Sequence, residues 1–143
     1  MNRTRRQARR ARQRRGTALV EFAMVAPVFF LFMVGAIEFG RAIMVQEVLT
    51  DASREGARVG IVDGMQTSDV QSAANAYLTA MKVSGATVSV SPQNPGSTPS
   101  GTQVTVTVSI PYKSVSWVPA PWFLGSATLA ASTVMQRQST PTQ

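Results

Sequence analysis

Residues 17–37 have the sequence TALVEFAMVAPVFFLFMVGAI, in which Glu21 is the only charged side chain. A helix of about 20 residues is long enough to cross the roughly 30 Å hydrocarbon core of a bilayer. A helix buried inside a soluble domain is the alternative, but a chain of 143 residues offers little material to cover such a helix on every side;. We therefore predict a membrane-spanning helix over residues 17–40.

The positive charge of the chain is concentrated before this segment. Eight arginines lie within the first 15 residues, whereas residues 17–143 carry six cations against seven acids. By the positive-inside rule, the N-terminus is cytoplasmic and the rest of the chain faces outward. The arginine tail also has the charge density to bind nucleic-acid phosphates, but no aromatic residues interrupt it for base stacking. A topogenic signal is the simpler interpretation, so we predict no nucleic-acid partner.

The residues that follow the apolar segment restrict the kind of membrane signal. A secretory signal peptide has small residues at a cleavage site after its apolar run, but Glu38, Phe39 and Arg41 follow here;. A lipoprotein anchor requires a cysteine, and the chain has none. From these residues alone, the simplest prediction is an uncleaved anchor with an external domain.

The composition gives little support to an enzymatic function. The chain has neither cysteine nor histidine, which removes thiol nucleophiles, thiolate zinc sites and the commonest general base;. The titratable side chains outside the membrane segment form no pattern of nucleophile and base or of metal ligands. We predict that the protein is not an enzyme and has no catalytic residues, no cofactor and no metal site.

Three short motifs carry a resemblance to a known family. The string RRGTALVEF at residues 14–22 resembles a prepilin signal, which is cut on the cytoplasmic side of the apolar run. With IEFGR at residues 37–41 and ASREGAR at residues 52–58, it resembles the TadE-like pseudopilins of the tight-adherence (Tad/Flp) system. The resemblance covers residues 15–60. Flp pilins have tyrosine where this chain has Phe22, and a TadG-like relative would have a longer external part.

The resemblance implies a minor pilin-like subunit in the assembly of a tight-adherence, type IV-like pilus. Its partners would be a prepilin peptidase, other pilin or pseudopilin subunits, the Tad assembly platform and membrane lipid. It would be a single-pass protein of the bacterial inner membrane with an external or periplasmic C-terminal domain, or would be associated with the pilus. The residues that match the second and third motifs are Glu38, Phe39, Gly40, Arg41, Arg54, Glu55, Gly56, Ala57 and Arg58.

The same resemblance gives Glu21 a role. It implies cleavage after Gly16, which makes Thr17 the first residue of the mature chain and Glu21 the fifth. The new ammonium group on Thr17 would lie one helical turn before the Glu21 carboxylate. A carboxylate at membrane depth is costly unless it is paired or lies near the interface. The resemblance further implies pairing with a neighbour's terminus, so that Glu21 and Phe22 act in assembly. The alternative is that Glu21 simply lies in the headgroup region.

Two functions therefore remain to be compared. The first is the cleaved pseudopilin, and the alternative is an uncleaved single-span membrane protein whose external domain binds a cell-envelope partner. The N-terminal residue of the protein isolated from membranes distinguishes them.

Beyond the membrane, apolar residues at i, i+3 and i+4 spacing predict a helical stalk over residues 41–62. Its charged side chains are spaced to form two i, i+3 pairs, Asp51 with Arg54 and Glu55 with Arg58, on a solvated face and not in an active site. A stripe of small residues predicts close packing against either the sheet of the same chain or a neighbouring subunit. The stripe consists of Ala52, Gly56 and Gly60.

An external α+β domain is predicted over residues 63–136. A capping box of Ser68 and Gln71 begins a short second helix, and period-two alternation predicts strands near residues 86–90 and 104–110. Residues 126–135 fit either a helix or a strand, and we predict a strand. The resulting fold class is α+β and pilin-like: a long membrane-spanning helix that continues as a stalk, a short helix and a small antiparallel sheet.

The connections of this domain are predicted from their composition. The loop at residues 91–101 has the composition of a mobile, exposed connection. The aromatic segment 112–125 holds both tryptophans, and it covers the core, meets a neighbouring subunit or lies at the outer membrane interface;. Residues 137–143 are predicted to be a disordered tail, and residues 1–16 are the basic leader.

Overall fold

The computed structural model describes residues 3–117 and 125–137, with side chains from residue 17 onward. Two helices precede three strands, with a short 3-10 turn after each of the first two strands. In chain order these are α1 (Arg3–Gly60), α2 (Thr67–Ala80), β1 (Thr87–Ser91), the turn Pro95–Ser97, β2 (Gln103–Pro111), the turn Tyr112–Ser114 and β3 (Thr128–Gln136). This order confirms the predicted α+β fold, and the ambiguous segment at residues 126–135 forms the third strand.

The chain divides into two units, Met1–Phe39 and Gly40–Gln143. In the first unit, every large apolar side chain among residues 17–39 is exposed, with exposed fractions between 43% and 76%. Within the described residues, Thr17–Gly60 is one helix long and apolar enough to cross a membrane, with a mean hydropathy of 2.2 in its most apolar window. An exposed apolar surface of this extent is unusual for a soluble protein and typical of a lipid-facing helix.

The second unit is built around a three-stranded antiparallel sheet in the order β1-β2-β3. The central strand β2 has the sequence QVTVTVSIP, and because side chains alternate between the two faces of a strand, its three valines and its isoleucine all lie on one face;. These residues are completely buried: Val104, Val106, Val108 and Ile110. The other face carries threonine and serine.

The C-terminal part of α1 lies close to this sheet because two of its residues lack side chains. A Cβ added at Gly56 would lie 3.2 Å from Cγ1 of Val106, and one added at Gly60 would lie 3.0 Å from Cγ1 of Val104. Val70 of α2 closes the same space, at 3.4 Å from the Gly56 position. The stripe of small residues is therefore filled by the sheet and α2 of the same chain, which was one of its two predicted uses.

The connection at residues 91–101 differs from its prediction at its centre. Pro95 and Gly96 are buried, not exposed. The Gly96 N–H donates to the carbonyl of Met65 at 3.0 Å, and the Gly64 N–H donates to the Gly96 carbonyl at 3.2 Å. These two hydrogen bonds join the connection to the turn that follows α1. The turn begins two residues earlier than predicted, because α1 ends at Gly60.

The predicted capping box of α2 was also wrong in its residues. The Gln66 backbone N–H donates to Oδ2 of Asp69 at 2.8 Å, so the N-cap lies two residues before Ser68. Asp69 in the first turn also places a negative charge near the positive end of the helix dipole. Gln71 has another role, since its Nε2 donates to the Val88 carbonyl of β1 at 3.1 Å.

Residue 137, the first of the predicted tail, is part of the domain. The Arg137 N–H donates to the Thr102 carbonyl at 2.9 Å, and its guanidinium forms an ion pair with Asp63. Because Asp63 lies just after α1, this pair connects the end of β3 to the turn between the helices. The other residues of the predicted tail, 138–143, lie outside the described residues.

Ser53 provides a test of the contact between α1 and β3. It is fully buried, donates to the Thr50 carbonyl at 2.8 Å and shares a hydrogen bond with Oγ1 of Thr133 at 2.6 Å. Replacing Ser53 by alanine leaves the half-buried hydroxyl of Thr133 short of one partner, so we expect the free energy of unfolding to fall by about 1 kcal/mol;.

Urea denaturation in detergent micelles measures this loss. The matched control is Ser132→Ala, which removes an exposed hydroxyl 3.0 Å from Oγ1 of Thr107. We expect a change within about 0.5 kcal/mol for the control. Equal losses for the two variants would contradict the buried contact.

Candidate functional site

The candidate processing site lies at the start of the apolar part of α1. The backbone of Gly16 and Thr17 is helical, and the Thr17 side chain is exposed. In a helix, residues four apart occupy the same face, which places Thr17 and Glu21 on one side of α1. This is the spacing that the predicted pair between an ammonium on Thr17 and the Glu21 carboxylate would require.

The surroundings of Glu21 are apolar and exposed. Leu19, Val20 and Phe22 have exposed fractions of 72%, 58% and 69%, and Glu21 is exposed among them. In a bilayer such a side chain needs a cation or the polar interface, because an unpaired carboxylate in hydrocarbon is costly. This single acid on an otherwise apolar surface is suited to recognition of a positive group on another helix.

The second motif, at residues 37–41, contains side chains in different environments. Glu38 is 8% exposed and Phe39 is 63% exposed. A Cβ added at Gly40 would have no atom within 4 Å, so this glycine is not required by close packing within the described residues.

Arg41 joins α1 to the segment that follows β2. Its Nε donates to the Val115 carbonyl at 3.2 Å, and its Cζ lies 5.1 Å from the ring centroid of Trp117. Sequence periodicity cannot identify these contacts, because the partners are separated by more than 70 positions in the chain. The sequence feature that pointed toward these contacts was the concentration of aromatic residues at positions 112–125.

That aromatic segment is divided between the core and the surface. Tyr112 is completely buried and Val115 is 7% exposed, so the beginning of the segment covers the core, one of the three predicted locations. Trp117, in contrast, is 68% exposed. The second tryptophan, Trp122, lies outside the described residues.

The third motif, at residues 52–58, has a packing side and a charged side. Gly56 and Ala57 are buried. The predicted pairs on the other side are confirmed: Nη1 of Arg54 lies 3.1 Å from Oδ1 of Asp51, and Nη2 of Arg58 lies 2.6 Å from Oε1 of Glu55. The REGAR residues thus combine contact with the sheet and a solvent-facing row of ion pairs.

The Glu55 pair shifts the titration of both partners. The hydrogen bond from Arg58 lowers the pKa of Glu55, and the bond to Glu55 raises the pKa of Arg58. A lowered folded-state pKa means that the contribution of the pair to stability is present above the ordinary glutamate pKa of 4.5 and is lost as the pH falls through the folded value;. Since the pair is exposed, this contribution is small at neutral pH.

Replacing Arg58 by alanine should therefore raise the pKa of Glu55 toward its ordinary value of 4.5. Replacing Arg54, which pairs with Asp51, should leave the pKa of Glu55 where it is. Carboxyl chemical shifts of isotope-labelled glutamate, followed by NMR in micelles as the pH is lowered, measure both variants. An unchanged Glu55 pKa in Arg58→Ala would contradict the pair.

Comparison with known protein families supports one part of the chain. The family model described as TadE-like protein matches residues 16–58. This segment begins at the candidate cleavage glycine, contains IEFGR and ends at the last residue of REGAR, so the resemblance of these residues to the TadE-like family is confirmed. No curated protein and no solved structure matches the chain. The match ends within α1, before α2 and the sheet.

Proposed function

We propose that this protein is a minor pilin-like subunit, a pseudopilin, that acts in assembly of a tight-adherence, type IV-like pilus. One observation carries the proposal: the TadE-like segment of α1 contains a single carboxylate on an exposed apolar surface, four residues after the candidate N-terminal residue Thr17. An ordinary membrane anchor has no need for an acid at this depth.

The proposed mechanism begins with proteolysis by a prepilin peptidase. Cleavage after Gly16 removes the arginine leader and creates an ammonium group on Thr17. This cation has a charge-assisted partner in Glu21 of a neighbouring subunit, so the apolar helices associate side by side with an axial offset of about one helical turn, roughly 6 Å. The exposed apolar side chains around Glu21 then pack against the neighbouring helix.

The proposed location is the bacterial inner membrane, with the arginine leader in the cytoplasm and residues 63–136 outside. The distribution of arginines supports this orientation;. The partners are the peptidase, other pilin or pseudopilin subunits, the Tad assembly platform and lipid. The lack of cysteine and histidine in the sequence supports function by association.

Site-specific photocrosslinking in intact cells tests the proposal. A benzoylphenylalanine at position 22, beside Glu21, should form crosslinks with a pilin or pseudopilin subunit. The control position is Asn75, which is exposed on α2 in the other unit. Crosslinks from position 75 to a cell-envelope protein, with none from position 22 and an intact leader, would support the uncleaved anchor and contradict the proposal.

A further inference from the structure

The exposed ring of Trp117 and the guanidinium of Arg41 form a surface pair 5.1 Å apart. We call this pair, together with the exposed Lys113 two residues before Val115, the Arg41 patch. The cations of the patch come from two different elements of the fold. Arg41 is on α1 and donates to the Val115 carbonyl, while Lys113 lies in the turn Tyr112–Ser114 that follows β2. The patch belongs entirely to the unit Gly40–Gln143.

We infer that the Arg41 patch binds the headgroup region of the outer leaflet of the membrane. The occupant is a lipid surface. This inference uses the membrane span of the proposed function but none of its pilus assembly.

The position of Arg41 in the chain supports a lipid occupant. Arg41 comes four residues after Ile37, the last residue of the long uncharged run. Only three residues separate Arg41 from that run, so the chain itself keeps Arg41 close to the predicted end of the span. Trp117 is held beside Arg41 by the contact of 5.1 Å between the guanidinium and the ring.

The chemistry of the patch is also that of a membrane interface. Tryptophan is enriched there because its ring is apolar and its N–H is polar. Trp117 is 68% exposed, although Tyr112 and Val115 of the same segment are buried in the core. The fold thus keeps this large ring at the surface, where leaving it in water is unfavourable.

The charges match the phosphate groups of lipids. Arginine has five N–H donors in a planar arrangement. In Arg41, Nε donates to the Val115 carbonyl and Nη1 donates to Sδ of Met44 at 3.7 Å, and these two contacts use two of the five donors. The exposed Lys113 adds a second cation in the turn next to Val115. Cations beside a membrane surface are attracted to anionic lipids.

Contact of the patch with lipid would hold the outer domain against the membrane before assembly. Two attachments of the domain, the span itself and the patch, restrict its orientation more than a single helix would. Extraction of the subunit from the membrane would then have to break the lipid contact as well.

Tryptophan fluorescence tests the inference, because the chain has two tryptophans. In the full-length Trp122→Phe variant, Trp117 is the only indole. The protein is reconstituted into vesicles of phosphatidylethanolamine and phosphatidylglycerol that carry bromine on the acyl chain, either near the headgroup or near the chain end. We expect Trp117 emission to be blue-shifted, quenched more by the shallow bromine than by the deep one, and protected from iodide.

A control tryptophan comes from β3. In the Trp117→Phe/Trp122→Phe background, Val134→Trp places an indole at an exposed position that pairs with Thr105, near the other end of β2 from Pro111. We expect iodide to quench this indole and brominated lipid to leave it unchanged. Quenching of both indoles by bromine to the same extent would overturn a contact specific to the patch.

Alkaline carbonate extraction of the same vesicles separates failure of the inference from failure of the proposed function. If the chain resists extraction but brominated lipid does not quench Trp117, the lipid contact is overturned and the proposed span is unaffected. Shielding of Trp117 from iodide without bromine quenching indicates a protein partner and also overturns it. If carbonate releases the chain from the vesicles, both the lipid contact and the membrane span are overturned.

Discussion

Replacing Glu21 by alanine should abolish crosslinking and co-purification of the protein with pilin-like subunits, while its insertion into the membrane remains normal. The physical reason is that the substitution removes the acceptor for a neighbour's Thr17 ammonium but improves the fit of the helix to lipid. A charged side chain disfavours insertion of a membrane helix, so removing the one at Glu21 cannot impair insertion by this route.

Two further variants separate charge from position. Glu21→Gln keeps the shape of the side chain and removes its charge, and we expect it to fail in assembly as alanine does. The double variant Glu21→Ala/Val25→Glu restores one carboxylate, but one helical turn away at a position that is also exposed. We expect no recovery in this double variant, because a neighbour's Thr17 ammonium would have to shift by about 6 Å along the helix axis to reach residue 25.

The measurements are carbonate extraction for insertion and co-purification with pilin-like subunits for assembly. Normal assembly of Glu21→Ala would show that Glu21 simply lies in the headgroup region. Recovery in the double variant would show that any carboxylate near this end of the helix is sufficient. Either result contradicts the specific pairing.

The second large effect is expected at Gly56. Gly56→Leu should destabilise the outer domain by about 1–3 kcal/mol or more, because there is no room for its side chain. Its Cβ alone would lie 3.2 Å from Cγ1 of Val106 and 3.4 Å from Cβ of Ala74 and Cγ1 of Val70. These atoms are in contact distance before the rest of the leucine is added.

Gly40→Leu is the matched control for this substitution. It introduces the same side chain into the same helix, at a position where the added Cβ meets no atom within 4 Å. We expect unchanged or slightly increased stability, since leucine favours helix over glycine by nearly 1 kcal/mol. Urea denaturation in micelles measures both. A Gly56→Leu domain of normal stability that fails to assemble would mean that the stripe serves a neighbouring subunit.

The sequence predicted those features that depend on spacing within one element. Period-two alternation identified β2, and i, i+3 spacing identified the pairs Asp51 with Arg54 and Glu55 with Arg58. β3 was ambiguous because alanine and threonine fit both regular structures, and its pairing with β2 from Gln103 to Pro111 decides the matter.

The features that the sequence did not predict depend on contacts between distant parts of the chain. The connection at residues 91–101 looked exposed because it is rich in serine, proline and glycine, but Gly96 packs against the backbone of Met65 so closely that a Cβ would clash. Ser68 and Gln71 fitted a capping box, yet Gln71 is drawn to the edge of β1 and Asp69 serves at the helix start. Likewise, no local pattern links Arg41 to Trp117.

The central claim is that the chain is cut between Gly16 and Thr17 to give Glu21 its partner. N-terminal sequencing of the protein purified from membranes of cells with an active prepilin peptidase tests it directly. We predict that the first residue is Thr17, and that cells without the peptidase give the full leader. An intact arginine leader in cells with the active peptidase would contradict the account and favour the uncleaved anchor.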